Sequence, residues 1–252
     1  MSGKVELKPE ETLDDLILGG LKIIQPKTGY RFSLDAILLA HFSPIDKVKQ
    51  VVDLGTGNGV IPLLLTYRSS HLKIKGMEIQ PQMVERARRS VELNHLADRV
   101  EIVNLDIRKL KEVDRGGYAD LVVCNPPFYK SGQGRVSLNQ EEAIARHELA
   151  ISMPEIISMA NYLLTGNGKI ALIQKADRLL EITNLLRANQ INPTKIRLVH
   201  SKITSEAKLV LIEGRKNSGT NLKLMPPLII YQPNGGYSDE IKAWYSDFTN
   251  DK

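Results

Sequence analysis

From residue 48 onward the chain alternates short apolar runs with segments of helical periodicity, and no other feature narrows the fold as far. The run 48–54 (VKQVVDL) closes on an acid followed by glycines. Residues 60–67 read as the start of a helix, with Pro62 in its first turn, where an imino nitrogen costs no intrahelical bond. Residues 73–79 (KIKGMEI) read as a strand, and 81–95 as a helix with Met83, Ala87, Val91 and Leu93 or Asn94 near one face. Strand 99–105 and buried strand 119–124 (ADLVVC) follow. Then come helix 154–164, ended by Gly166 and Gly168, strand 169–174, helix 176–189, and strands 194–200 and 208–213. Strand–helix alternation at this spacing predicts βαβ units, hence an α/β fold with a mainly parallel seven-stranded sheet and helices on both faces. The connector SKITSEA between the last two strands is too short for a crossover helix, so they pair antiparallel.

The rest of the composition excludes more than it assigns. At 252 residues, 42% hydrophobic and 25% charged, the chain can bury a core without staples. Its one cysteine, Cys124, excludes an intramolecular disulfide and a Cys-rich zinc site. The N-terminus carries acids where a signal peptide has an apolar run, and no uncharged apolar stretch reaches the ~18 residues of a membrane span, so a cytoplasmic protein is expected. Residues 1–45 are expected to form a lead segment packed on a domain spanning 46–252. Net charge is +5, and residues 191–223 carry an equal local surplus through Lys195, Arg197, Lys202, Lys208, Arg215, Lys216 and Lys223. Such a surplus suits either a phosphate backbone or a solvated lysine-rich face.

Parallel sheets bind ligands beyond the carboxyl ends of their strands, and four such ends carry informative residues. The first is Asp53-Leu54-Gly55-Thr56-Gly57-Asn58-Gly59, a G-x-G-x-G spacing that lacks the third glycine position of the dinucleotide fingerprint. A nicotinamide dehydrogenase is thereby disfavoured, and a loop packing on an amino-acid-bearing nucleoside is favoured. Glu78 ends the second strand and can accept from both hydroxyls of a ribose. Asp106 ends the third, and either reads an adenine amino group or caps the next helix. The fourth end is Cys124-Asn125-Pro126-Pro127-Phe128-Tyr129. Its two prolines stiffen the turn, Asn125 and the freed carbonyls supply acceptors, and Phe128 a flat face: a receptor for a planar amino group. Cys124 itself reads as a small buried strand residue rather than a nucleophile.

This series of motifs resembles the Rossmann-like S-adenosylmethionine-dependent methyltransferases, whose Asn-Pro-Pro-[Phe/Tyr] members methylate planar amino nitrogens. The segment from Gly29 through Tyr30, Arg31, Phe32, Ser33, Leu34, Asp35 and Ala36 to Ala40 resembles the lead of the bacterial tRNA (valine) N6-adenine methyltransferase family. So do Ala145-Arg146-His147-Glu148 and the tail PLIIYQPNGGYSDE. The resemblance covers nearly the whole chain and implies methylation of the adenine just 3′ of the anticodon. It places Asp53, Gly55, Gly57 and Gly59 at the methionine end of the cofactor, Glu78 with Ile79 at the ribose, and Asp106 with Ile107 at the adenine. Asn125, Pro126, Pro127 and Phe128 form the catalytic receptor, and Arg31, Phe32, Tyr129 and Arg146 the substrate rim. Residues 129–147 are expected to be a mobile loop carrying Lys130 and Arg135, His147 a packing residue, and Ser33 the cap of the helix running to Ala40.

The expected partner is RNA, in the first place tRNA, with no membrane, no metal and no obligate protein partner. The same pocket also suits N2-guanine methylation of rRNA or amide methylation of a protein glutamine. A silent cofactor- or RNA-binding module is the alternative outside catalysis, and the intact Asn-Pro-Pro-Phe argues against it.

Overall fold

The computed structural model describes residues 6–16, 19–29, 31–126, 128, 151–219 and 221–246. The hairpin β1 (Glu11–Asp15) and β2 (Lys22–Pro26) precedes α1 (Leu34–Phe42). The alternation then begins: β3 (Gln50–Leu54), α2 (Val60–Arg68), β4 (Lys73–Glu78), α3 (Pro81–Leu93), β5 (Val100–Asn104), a short α4 (Leu110–Val113) and β6 (Ala119–Cys124). After it come α5 (Met153–Leu163), β7 (Leu164–Lys175), α6 (Leu179–Ala188), β8 (Ile191–His200) and β9 (Ala207–Lys216). The two-residue strands β10 (Lys223–Leu224) and β11 (Leu228–Ile229) and a final helix α7 (Asp239–Ser246) close the described chain.

The seven expected strands line up as β5-β4-β3-β6-β7-β9-β8. β10 and β11 both pair with β8, so the sheet has nine strands rather than seven. These two had no sequence signature, because a two-residue strand has no period. β9 pairs antiparallel with both β7 and β8, as the short connector requires. A second difference concerns Gly166 and Gly168. They lie inside β7 rather than in a helix terminator, and a Cβ at Gly168 would stand 2.9 Å from the Ala119 carbonyl. The pairing of β6 with β7 slips at this place, and glycine admits the close backbone.

Strand side chains alternate between two cores. Val51, Leu121, Val123, Ala171 and Leu211 face α1, α2, α3 and α7. Val52, Val122, Cys124, Ile170 and Ile212 face α4, α5 and α6. A sheet covered on both faces needs apolar side chains of both parities, which is why its strands read as continuous apolar runs. The hairpin β1–β2 packs beside α3, where Arg89 pairs with the nearly buried Glu11 and with Glu85.

Candidate active site

β3 is central. The chain runs outward from it through β4 to β5, then returns to its other side at β6, so the order reverses between β3 and β6. A crevice opens at that reversal, beyond the carboxyl ends of the strands. It is partly open to solvent. Its lining comes from all four strand ends: Gly55 and Gly57, Glu78 and Ile79, Asp106 and Ile107, Asn125 and Pro126. Residues separated by seventy positions in sequence thus share one wall.

The glycine loop is tied to the end of β4. The Gly55 and Thr56 N–H groups donate to the Met77 carbonyl at 2.9 and 3.0 Å, and the Gly57 N–H donates to Glu78 Oε2 at 3.0 Å. Glu78 Oε1 accepts from the Gln80 N–H at 2.9 Å. Carboxylate oxygens accept and never donate, so Glu78 presents acceptors to the crevice. Gly55 and Gly57 have φ of +73° and +57°, which side-chain-bearing residues rarely adopt, and they bring bare backbone to the crevice. Gly59 differs. It does not line the crevice; it starts α2 at φ +85°, and a Cβ there would stand 3.2 Å from Ala87 Cβ. Its demand is helix packing.

Asp53 lies behind the loop, wholly buried, with neither carboxylate oxygen in a well-formed hydrogen bond among the described residues. Burial pushes its carboxyl up to about 7; the nearby Thr56 hydroxyl pulls the other way, and the Glu78 charge adds to the rise. A buried carboxylate without a partner is costly unless a cation or donor arrives to meet it. Cys124 is buried and donates to the Leu54 carbonyl at 3.2 Å. Burial, and then the neighbouring Asp53, pushes its thiol well up, so it is the inert strand residue expected.

Asp106 caps the 3₁₀ turn at Ile107–Lys109 by accepting from the Arg108 N–H at 3.0 Å. The Arg108 guanidinium also grips it, with Nη2 to Oδ2 at 2.6 Å, and this bond holds the carboxyl below its usual range. Asp106 therefore caps the turn, and it also lines the crevice.

The rim residues are arranged differently. Arg31 is bound to the hairpin, donating to the Thr12 hydroxyl at 3.0 Å and the Pro26 carbonyl at 2.9 Å and pairing with Asp14; it does not line the crevice. The Phe32 N–H donates to Gln25 Oε1 at 2.8 Å, and its ring packs on the core. Ser33 stands at the helix N-cap, but its hydroxyl donates to Asp35 at 2.7 Å instead of accepting from the backbone, and the helix runs on to Phe42. Phe128 is half-buried and outside the crevice lining. Pro127, Tyr129 and Arg146, with Lys130, Arg135 and His147, lie outside the described residues.

Some contributors escaped the sequence reading. Met77, Met83, Leu105, Ile151 and Ile156 supply apolar wall. Gly76, within β4, leaves room for Thr56, since a Cβ there would stand 2.9 Å from Thr56 Oγ1. A lone glycine inside a strand pattern is the signal that marks such an approach.

A family model described as methyltransferase small domain matches residues 34–189. A tRNA1(Val) (adenine(37)-N6)-methyltransferase of Porphyromonas gingivalis is 30% identical over 227 residues, covering 86% of this chain and 88% of that protein. This chain belongs to that methyltransferase family. A protein of the same name from Flavobacterium psychrophilum is 30% identical over 194 residues, 77% of this chain and 82% of its own length. Among solved structures, a predicted O-methyltransferase of Agrobacterium tumefaciens superposes with a TM-score of 0.68 at 22% identity, covering 84% of this chain and 95% of that one. TYW2 of M. jannaschii, in complex with AdoMet, gives 0.55 at 16% identity, with 83% and 87% covered. These structural likenesses are of fold: a Rossmann-like methyltransferase sheet. The family model begins where α1 begins and ends just past α6. The hairpin β1–β2 and everything from β8 onward lie outside that match.

Proposed function

We propose that this chain transfers a methyl group from S-adenosylmethionine to the exocyclic N6 amino group of an adenine in tRNA, next to the anticodon. The observation that carries the proposal is the convergence of the Gly55–Gly57 backbone, Glu78 and Asn125–Pro126 on one crevice. The family membership favours adenine in tRNA over guanine in rRNA or a protein amide.

The residues present suit the cofactor. Bare backbone at Gly55 and Gly57 admits close approach, and Glu78 offers two acceptors to ribose hydroxyls. Ile79, Leu105 and Ile107 form an apolar slot for a purine. Asp53, buried behind the loop with no well-formed hydrogen bond among the described residues, suits the positive charge of the methionine end. An adenine amino group at Asp106 shares that carboxylate with Arg108 or displaces the guanidinium. When bound, the cofactor supplies an activated methyl, so no covalent enzyme intermediate is required.

An aromatic amine is a weak nucleophile because its lone pair is delocalised. Asn125 Oδ1 and the Pro126 carbonyl accept from its two hydrogens, favour a more tetrahedral nitrogen and stabilise the positive charge that develops there. Holding nitrogen and methyl in line supplies several kcal/mol more. Phe128 stacks on the base, and an RNA loop unstacks its base at small cost. This reaction belongs in the cytoplasm, with tRNA.

Incubation with methyl-labelled cofactor and separate pools of unmodified tRNA, rRNA and protein, followed by mass spectrometry of the product, tests the proposal. N6-methyladenosine in tRNA is the expected result. N2-methylguanosine or methylglutamine would overturn the substrate assignment while leaving the crevice's chemistry intact.

A further inference from the structure

The tail motif PLIIYQPNGGYSDE takes no part in the crevice, yet the fold carries it to the same edge of the sheet. β7 is parallel to β6, so its end at Lys175 lies with the crevice, and Lys175 pairs with Leu209 at the start of antiparallel β9. His200, the last residue of β8, pairs with Ala207. The turn 201–206 therefore projects from the carboxyl edge, three strands from β6, or about 14 Å at ~4.8 Å per strand. β11 runs parallel to β8 and delivers the tail there too: the Tyr231 N–H donates to the Ser201 carbonyl at 2.9 Å.

Two kinds of group meet at this place. Tyr231 bridges Tyr237 across a tight turn, and their rings stack at 5.5 Å with planes 12° apart. The turn is firmly held: the Gln232 N–H donates to the Gly236 carbonyl at 2.7 Å, and Gly235 adopts φ +97°. Both rings remain more than a third exposed, at 37% and 39%. On the same edge are Lys202 and Lys208, both exposed with no side-chain partner among the described residues, and Ile203, 65% exposed. Glu206 is the one acid in the turn.

The basic stretch 191–223 divides accordingly. Lys195 pairs with Glu213 at 2.7 Å and Arg197 with Glu240 at 2.7 Å. Arg215 and Lys216 donate to backbone carbonyls of residues 161–167. Lys223 is exposed but pairs at Lys195, five residues before the end of β8, or about 16 Å from the edge at ~3.3 Å per residue. Lys202 and Lys208 alone combine freedom with the right edge.

We propose that the Tyr231–Tyr237 stack with Lys202 and Lys208 forms an RNA-docking surface that holds the substrate beyond the target base, the lysines on phosphates and the rings on a base or ribose. This rests on the tRNA reading above. A rigid aromatic platform and cations on one edge, the edge that carries the crevice, match the physics of unpaired RNA, whose bases stack without sequence preference.

The test uses the full chain and an in vitro transcribed valine tRNA. It measures RNA Kd across a salt series, KM and kcat for methylation, and cofactor Kd. Lys202→Glu and Lys208→Glu are each expected to raise RNA Kd at least fivefold and to lower the log–log salt slope by about 1, with kcat and cofactor Kd unchanged. Lys223→Glu, the same charge change away from the edge, is expected to stay within twofold. Tyr231→Ala is expected to weaken RNA binding at least fivefold and Tyr231→Phe to preserve it. Should Tyr231→Ala not fold, the lysine variants decide alone. Equal effects from all three lysine variants would reduce the matter to net charge and overturn the surface. So would wild-type behaviour of the edge variants in a protein that methylates the tRNA. A wild-type chain that binds no RNA would overturn this proposal and the tRNA reading together.

Discussion

At Asp53 the buried carboxyl has its pKa pushed up to about 7, against ~3.9 in an unfolded chain. Between those values the folded protein holds a proton that the unfolded chain releases. Stability therefore falls as pH rises from about 4 to about 7, then levels off. The Asp53→Asn variant removes this dependence, so the difference in Tm, variant minus wild type, should grow across that window. Thermal melts at half-unit pH steps check it, and parallel curves would mean that Asp53 ionises normally in the fold. Asn125 has the opposite character: half-buried on the crevice wall, it contributes little to the core. Asn125→Ala should lower kcat by about 100-fold, the usual scale for losing one group aimed at developing charge. Cofactor affinity, measured by calorimetry, should stay within a few fold. Turnover at the wild-type rate would remove Asn125 from the amino-group receptor.

Elements explain why the crevice has its shape. The glycine loop hangs on β4 through the Met77 carbonyl and Glu78, and α2 starts directly from it. Gly76 is the tight point of this arrangement, with Thr56 Oγ1 and Ile102 Cδ1 each 2.9 Å from where a Cβ would stand. Gly76→Ala overpacks this contact, at a cost of about 1–3 kcal/mol. Because Thr56 belongs to the loop, the displacement reaches the crevice, and cofactor Kd should rise about tenfold along with the loss in Tm. A lowered Tm with unchanged Kd would show that Ile102 yields instead of the loop.

At the scale of the molecule, α1 and α7 meet outside the crevice lining. His41 near the end of α1 stacks on Trp244 of α7, with ring centroids 4.4 Å apart. Burial and the nearby Arg68 hold the imidazole down to about 4, so it stays neutral at ordinary pH. Ile241 of the same helix is wholly buried against the α1–α3 core. Ile241→Ala should cost about 2–5 kcal/mol. That lowers Tm by roughly 5–15 °C in a chain of this size. Cofactor affinity should not change, since neither α1 nor α7 lines the crevice. A weakened affinity would show that the contact between α1 and α7 reaches the site.

How much of this was legible beforehand follows from the range of each interaction. Strand and helix periodicity is local, so β3 to β9 and the helices α2, α3, α5 and α6 could be read from spacing, and the antiparallel pairing of β8 and β9 from one short connector; the one-turn α4 is too short to show a period. The residues at the four strand ends were legible for the same reason, since a parallel sheet sends all its carboxyl ends to one edge. What each residue does with its neighbours was not legible. Ser33 turned to Asp35, Arg31 to the hairpin, Gly59 to Ala87, and Asp106 accepted Arg108 while still lining the crevice. The basic stretch could be counted along the chain, but only pairing with Glu213, Glu240 and backbone carbonyls separated its structural members from Lys202 and Lys208. Composition and periodicity act through nearest neighbours and determined the architecture. Side-chain partners come from segments tens of residues apart, and only the packed sheet could choose among them.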